Sequence, residues 1–198
     1  MIPDATANSM LDSIVVDRLS LHTAYSATGA NEVTGGTPAY AKLAVTYNAA
    51  AARQRVLAAD ATFDVPAGTT VRFVGRWTLA GLVFRGMEAL GGAETDFEVD
   101  VTGNRILCEA HGLIDTNNVV FYGGTVPTGL TEGTVYFVVT NTAGDPDSFQ
   151  VALTSGGAAI DITGNGSRQC KFSKIVPETS ASQWQYKVNA GAAFGLTE

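Results

Sequence analysis

Residues 119–139 read VVFYGGTVPTGLTEGTVYFVV, and they carry the clearest indication of the fold class. Val119 with Phe121 forms one strand candidate, and Val135–Val139 forms a second. The segment between them is rich in turn residues, because its glycines permit positive φ and Pro127 stiffens the chain. The stretch therefore predicts two short strands joined by a turn-rich loop.

The rest of the second half repeats this arrangement. Acidic residues alternate with Phe97, Val99 and Val101, as in a strand with one buried and one solvent-exposed face. Turn sequences such as Ser-Gly-Gly and Gly-Asn-Gly separate the candidates, and short strands at near-regular spacing are typical of a sandwich or a barrel. The further strand candidates are Ile106 with Cys108, Phe149 with Val151 and Leu153, Ile160 with Ile162, Cys170 with Phe172, and Trp184 with Tyr186 and Val188.

The first half begins with one predicted helix. Met10, Leu11, Ile14 and Val15 recur at helical spacing, and Asp4 or Thr6 is the expected N-cap. The remaining candidates are strands with alternating apolar residues. They are Leu19–Ala24, Leu43 with Val45 and Tyr47, Arg55–Ala58, Ala61–Val65, Val71 with Phe73 and Trp77, and Leu82–Ala89.

A Gly-Gly turn signal at Gly91 and Gly92 divides the chain into two predicted domains, residues 1–94 and 95–198. The first carries a net charge of −1 and the second −6. We expect a mainly β protein: two small antiparallel β-sandwich or β-barrel domains with one short N-terminal helix. The first domain is expected to be a jelly-roll-like sandwich.

Composition narrows the choice of partners. The chain has 198 residues, only 16% of them charged, and a net charge of −7. Its 12 Lys and Arg residues do not cluster, so neither nucleic acid nor an anionic membrane is an expected partner. The sequence shows neither a signal peptide nor an apolar run long enough to span a membrane. Cys108 and Cys170 are interpreted as two buried or half-buried thiols, with a single disulfide as the alternative.

The sequence predicts no enzyme, no cofactor and no metal site. The two histidines, His22 and His111, lie in different halves and are interpreted as structural, with the ring of His111 bonded to backbone in a turn. A triad of Cys108, His111 and Asp115 would have no helix N-terminus to activate the thiol.

The acidic residues single out no catalytic pair, although a glycosidase would need only two of them across a cleft. Asp96, Glu98 and Asp100 share one strand face, which we interpret as solvated. Asp145 and Asp147 flank Pro146 and suggest an Asx turn, with a weak calcium loop as the alternative.

Aromatic residues offer the only candidate ligand contacts. Trp184, Tyr186 and Tyr122 are the candidates for stacking on a glycan, and Tyr136 belongs to the same group of aromatics. Period-2 placement makes at least half of this group core residues, so a glycan site remains the alternative.

Two parts of the chain resemble modules of tailed-bacteriophage virion proteins. Leu19–Val45, LSLHTAYSATGANEVTGGTPAYAKLAV, resembles the opening of the tail-fibre or minor-tail type, and FDVPAGTTVRFVGRW at Phe63–Trp77 is similar to the end of that module. Arg76-Trp77-Thr78 departs from the usual motif there. In the second half His111–Leu113, Val119–Val139 and Ser148–Gly166 resemble a second phage-tail β-module.

The resemblance implies a non-enzymatic structural protein on the surface of the phage particle. It is expected to be a minor tail or tail-fibre-type component, or one that decorates the capsid. Its partners would be other virion proteins and copies of itself, with a trimer favoured by closed symmetry. The first domain would dock and the acidic second domain would project into solvent. A carbohydrate-binding adhesin for host attachment is the alternative.

Overall fold

The computed structural model describes residues 3–78, 83–139 and 145–195, without the side chains of residues 194 and 195. This part of the chain is mainly β, with one short helix and antiparallel sheets, which confirms the predicted fold class. It forms two compact units. Unit 1 comprises Met1–Met87 and Glu178–Glu198, and unit 2 comprises Glu88–Pro177. No helix in the described ranges is long and apolar enough to cross a membrane.

The elements are numbered in chain order. Helix α1 spans Asp4–Ser13. It is followed by β1 (Arg18–His22), β2 (Leu43–Ala44), β3 (Gln54–Val56), β4 (Ala61–Val65), β5 (Thr70–Val71), β6 (Phe73–Trp77) and β7 (Phe84–Ala89). Unit 2 contains β8 (Glu98–Asp100), β9 (Arg105–Leu107), β10 (Asn118–Tyr122), β11 (Val135–Val139), β12 (Ser148–Ala152) and β13 (Lys171–Ile175). The chain then adds β14 (Glu178–Thr179), β15 (Trp184–Val188) and β16 (Ala193–Gly195).

The main sheet of unit 1 has the strand order β2-β1-β6-β7. The antiparallel pairing of β1 with β6 runs from Arg18 opposite Trp77 to His22 opposite Phe73. Because β1 lies between two strands and is covered on both faces, every residue from Leu19 to His22 is buried. This double burial explains why polar Ser20 and His22 sit in the core of the unit.

The C-terminal segment belongs to unit 1, which differs from the predicted division at residues 94 and 95. Unit 2 begins at Glu88 and ends at Pro177. After Pro177 the chain pairs antiparallel with the first unit, β14 with β5, β15 with β4, and β16 with β3. These three early strands need a partner for their main-chain groups, and the returning segment supplies it. Pairing across more than 100 residues leaves no local signal in the sequence.

The predicted N-terminal helix is present, but its cap and its buried face differ from the expectation. Pro3 occupies the N-cap position, where no side chain caps the helix, and Asp4 lies inside the first turn. Ala7 and Leu11 are buried against the unit. Met10, Ile14 and Val15, which were expected to share the buried face, are 47%, 36% and 57% exposed. Local spacing identified the helix but not its orientation.

The sheet of unit 2 has the order β13-β10-β11-β12-β9-β8 and closes on itself. Thr95, just before β8, exchanges two backbone hydrogen bonds with Phe172 of β13, at 2.8 and 3.0 Å. Unit 2 is therefore a small antiparallel barrel. Its interior is filled by apolar side chains that include Ile106, Val119, Phe121, Leu130, Tyr136, Val138, Phe149, Val151, Ile162 and Phe172.

Most predicted strands are found within a few residues of their expected positions. Ala61–Val65 and Val135–Val139 agree at both ends. Of the predicted strand at Leu82–Ala89, Leu82 lies outside the described residues and β7 begins at Phe84. Ile160 and Ile162 form no strand, although the Ile162 side chain is buried in the barrel. Burial of single side chains from a loop explains that error.

Candidate functional site

A buried polar cluster in unit 1 brings together Ser20, His22 and Trp77. The Ser20 hydroxyl lies 2.7 Å from His22 Nε2 and accepts a 2.6 Å hydrogen bond from Trp77 Nε1. His22 Nδ1 lies 2.8 Å from the carbonyl oxygen of Ala30. A carbonyl can only accept, so Nδ1 carries the proton and Nε2 accepts from Ser20. Gly75, opposite Ser20 in β6, leaves room, because an added Cβ would lie 2.5 Å from His22 Nε2 and 2.6 Å from Ser20 Oγ.

This Ser–His pair has the composition of a nucleophile and its base but not the surroundings of a catalytic site. Ser20 and His22 are both 0% exposed. The third partner is a neutral carbonyl instead of the carboxylate that orients the base in a catalytic triad. Burial lowers the pKa of His22, against the raising effect of the Ala30 carbonyl and the Glu32 carboxylate. The cluster therefore acts as a fully bonded polar core.

His111 is a turn residue, as predicted. Its Nδ1 accepts a 2.9 Å hydrogen bond from the amide of Leu113, and Nε2 lies 3.4 Å from the carbonyl oxygen of Ser148. Both ring nitrogens thus face backbone and not the thiol of Cys108. Cys108 and Cys170 are free, half-buried and buried respectively, which confirms the interpretation of two thiols. The pKa of Cys108 is raised by burial and by the carboxylates of Asp147 and Asp96.

Asp145 forms the expected Asx turn. Its Oδ1 accepts a 3.1 Å hydrogen bond from the amide of Asp147. Its Oδ2 accepts hydrogen bonds from Ser148 Oγ at 2.6 Å and Arg105 Nη2 at 2.8 Å. These bonds lower the pKa of Asp145, with that from Ser148 contributing most. Among the described residues no three His, Cys, Asp or Glu side chains converge on a possible metal position.

Tyr122 was a predicted glycan contact, and the structure contradicts this. Its side chain is only 5% exposed, and its hydroxyl lies 2.7 Å from the hydroxyl of Ser173. A ring enclosed in this way has no face on which a sugar could stack. Tyr136, from the same group of aromatics, is also buried, and its hydroxyl accepts a hydrogen bond from the amide of Thr131.

The other two glycan candidates, Trp184 and Tyr186, lie together on β15. Their rings meet edge to face with centroids 6.0 Å apart, and both side chains are half-buried. They pair with Val65 and Phe63 of β4, which are buried, so the two rings lie on the core side of this strand pair. The indole N–H of Trp184 is buried and has no hydrogen-bond partner in the described structure. This pair stays a candidate for ligand contact.

A groove in unit 2 was not anticipated from the sequence. It has a volume of about 1020 Å³ and is lined by three segments: residues 96–99, residues 107–109 with Asp147, and residues 165–168. The groove lies where the barrel closes least completely. Beyond the pair formed by Thr95 and Phe172, the amide of Cys170 bonds back to the carbonyl of Ser167 at 3.0 Å. The chain turns there, so it does not continue the ladder beside residues 96–99.

The main-chain groups of Phe97 and Val99 face this incomplete seam. Thr95 directs its amide and carbonyl toward β13, and in an extended strand every second residue points the same way. The pairing of β8 with β9 on the other side of the strand indicates the same orientation. The amide of Cys108 bonds to the carbonyl of Asp147, so Leu107 and Arg105 are the residues of β9 that face β8. Their partners are Glu98 and Asp100, which leaves Val99 directed away from β9.

The groove is strongly acidic. Asp96 is paired with Lys171, and Asp147 accepts a 3.0 Å hydrogen bond from the amide of Ala110. The carboxylates of Glu98 and Glu109 have neither an ion pair nor a hydrogen bond with any residue that the structure describes. Arg168 is the cation among the lining residues. Apolar Phe97, Val99 and Leu107 lie beside these charges, and Leu107 is 37% exposed.

The groove was not predicted from the sequence, because its acidic residues were interpreted only as one solvated face of a strand. The solvated carboxylates of Asp96 and Glu98 were correctly predicted to lie on a wet strand face. That face becomes a site because the hydrogen-bond ladder between the chain before β8 and β13 ends there. Where the ladder ends depends on how the two edges of the sheet meet. The turn at residues 167–170 carries no pattern that distinguishes it from an ordinary hairpin turn.

Comparison of the chain with protein-family models, curated proteins and solved structures finds no match. The class that the fold and these sites define is therefore limited to a two-unit antiparallel β protein whose second unit is a barrel with an incompletely paired seam. The resemblance to phage-tail modules stays a prediction.

Proposed function

We propose that this chain is a non-enzymatic structural protein of a tailed-phage virion. It is exposed on the particle as a minor tail or tail-fibre-type component, or as one that decorates the capsid. Its partners are other virion proteins and copies of itself, and the trimer predicted from closed symmetry belongs to the same proposal.

The observation that carries this proposal is the apolar surface at the end of α1. Met10 lies in the last turn of α1, Ile14 is its C-cap residue in an extended conformation, and Val15 follows directly. All three are substantially exposed, although Ala7 and Leu11 of the same helix are buried. Exposed apolar groups of this kind mark protein contact sites, so this surface supports a docking role for unit 1.

The residues that carry the resemblance support a scaffolding role. Gly129 has a φ of +108°, and an added Cβ there would collide with the carbonyl of Asp161. Gly166 has a φ of +72°, and its added Cβ would lie 2.6 Å from the carbonyl of Thr125. Thr128 pairs with Gly164 in the same region. These motif positions bring loops into close contact, which is expected of residues that maintain a rigid shape.

Charge is also divided between the units. Unit 1 has 8 acidic and 8 basic residues, and unit 2 has 11 acidic and 4 basic, so the barrel carries the whole net charge of −7. A neutral docking unit and an acidic, solvent-exposed unit fit a protein that is attached at one end. Acidity favours solubility and limits adhesion between projecting copies.

The test is incorporation into particles. A tagged chain carrying Met10→Ser, Ile14→Ser and Val15→Ser is expressed by the phage that encodes it, and purified particles are probed for the tag. The matched control is Ile114→Ser with Leu153→Ser, which removes two apolar side chains of unit 2 that are 66% and 63% exposed. We expect the α1 variant to fold normally and to be lost from particles, and the control to be retained.

Absence of the wild-type chain from particles would contradict the proposal. Retention of the α1 variant at wild-type level would contradict the docking surface. Copy number per particle separates the two positions, because hundreds of copies indicate the capsid and a handful indicate the tail. Analytical ultracentrifugation of the purified chain tests for the trimer.

A carbohydrate-binding adhesin is the second candidate, favoured by the adjacent half-buried rings of Trp184 and Tyr186. Stacking on such rings contributes to sugar binding. A glycan array tests the idea. Binding by the wild-type chain should be lost in Trp184→Ala and Tyr186→Ala but kept in Gln185→Ala, which changes an exposed residue of the same strand.

A further inference from the structure

We propose that the acidic groove of unit 2 binds an extended, Lys- or Arg-rich peptide segment of another protein, which adds to the barrel as a strand beside residues 97–99. The inference goes beyond the proposed virion role and does not depend on it. It rests on the open seam of the barrel, the free carboxylates beside it and the charge of unit 2.

The open seam supplies the main-chain partners. Phe97 and Val99 direct their amide and carbonyl groups away from β9, and Phe97 has no backbone hydrogen bond to any described residue. An incoming strand that pairs with both residues forms the same kind of ladder that Thr95 and Phe172 already form one step earlier. Strand addition at an exposed sheet edge obtains affinity from such main-chain bonds.

The carboxylates select the side chains of that segment. The carboxylates of Glu98 and Glu109 are free of partners in the described structure and line the same groove. Side chains of an added strand alternate between two faces. Every second residue reaches the face of Glu98, which also carries Leu107, and the others meet Phe97 and Val99 on the face that packs against the core. Alternating basic and apolar residues match this surface.

Charge also argues against a second copy of this chain as the occupant. Unit 2 has a net charge of −7, so two barrels placed groove to groove repel each other. The groove volume of about 1020 Å³ reaches the upper end of the range for small-molecule pockets, which leaves room for several residues of an extended chain.

The test uses the full chain and short peptides with a neutral fluorescent label. A heptapeptide of alternating lysine and valine is the probe, and fluorescence anisotropy measures its binding. A glutamate–valine peptide of equal length controls for charge. A lysine–valine peptide N-methylated at every backbone amide keeps the charge but has no backbone N–H on either edge with which to pair as a strand. We expect binding of the first peptide only, with at least about tenfold weaker binding after N-methylation, because two main-chain bonds are lost.

Variants of the chain test the position of the peptide. Glu98→Gln and Glu109→Gln should each weaken binding about twofold, and the double variant about fivefold, as expected for exposed charge pairs. Asp161→Asn is the matched control, because it removes an equal charge from an exposed position outside the groove. Bound peptide should also protect Cys108, which lines the groove, from a bulky maleimide.

Three results would overturn the inference. The first is no binding of the lysine–valine peptide at millimolar concentration. The second is equal binding of the N-methylated peptide, which would reduce the effect to unspecific charge attraction. The third is self-association of the chain that Glu98→Gln abolishes, which would identify a second copy as the occupant. None of these results bears on incorporation into particles, so the two proposals fail independently.

Discussion

Replacement of Ser20 by alanine tests the buried polar cluster of unit 1. The hydroxyl is the acceptor for Trp77 Nε1 at 2.6 Å and the donor to His22 Nε2 at 2.7 Å. Removing it leaves one buried donor and one buried acceptor without their partner. Each unsatisfied group costs about 1–3 kcal/mol, so we expect the free energy of unfolding of unit 1 to fall by about 2–6 kcal/mol.

Tryptophan fluorescence during urea unfolding measures this loss selectively. The chain has two tryptophans, Trp77 and Trp184, and both belong to unit 1. Their emission therefore follows this unit and not the barrel. Ser182→Ala removes an exposed hydroxyl of the same unit and should change stability by less than about 0.5 kcal/mol. A loss for Ser20→Ala no larger than that of the control would refute the account of the cluster.

Three further predictions concern pH, a motif glycine and the thiols. Burial lowers the pKa of His22 below 6.5, so at mildly acidic pH the unfolded chain binds a proton at His22 more readily than the folded chain does. The urea midpoint of unit 1 should therefore be constant above about pH 7 and fall between pH 6.5 and 5. An unchanged midpoint would contradict this prediction. Gly129→Ala should lower the melting temperature of unit 2, measured by calorimetry, much more than Gly156→Ala does. Both glycines have positive φ, but only Gly129 faces a backbone carbonyl, so Gly156→Ala should cost about 1 kcal/mol of stability. Equal losses of stability would exclude the close approach to the carbonyl as the cause. In the folded protein at pH 8, Cys108 should react slowly with a thiol reagent and Cys170 should not react, because burial raises the pKa of Cys170 to about 11. Both thiols should react in urea. Rapid reaction of both thiols in buffer would contradict the described burial.

Local patterns predicted the strands well where a strand has one buried face. Ala61–Val65 alternates buried and less buried residues, and its bounds were predicted without error. The pattern failed at Ile162, because a loop can bury one side chain without forming a ladder. In α1 the pattern correctly included Leu11 but missed Ala7, and Met10, Ile14 and Val15, which it placed with Leu11, are exposed.

The functional candidates were less predictable than the strands. His111 and Asp145 were correctly interpreted, because their bonds reach backbone groups only two residues away. Tyr122 was misjudged, since its position on a strand does not reveal that a neighbouring strand supplies Ser173 as its partner. The groove was missed, because it depends on where β8 and β13 stop pairing.

The order of residues along the chain is sufficient to establish a mainly β protein, its short helix, its turns and its acidic second half, since these follow from side-chain periodicity, turn chemistry and charge. Tertiary structure alone decides that residues 178–198 return to unit 1, that the second sheet closes through Thr95, and that Phe97 and Val99 face an open seam. The reason is that strand partners are chosen by main-chain bonds between distant segments, and such bonds are made by every residue type except proline on the donor side.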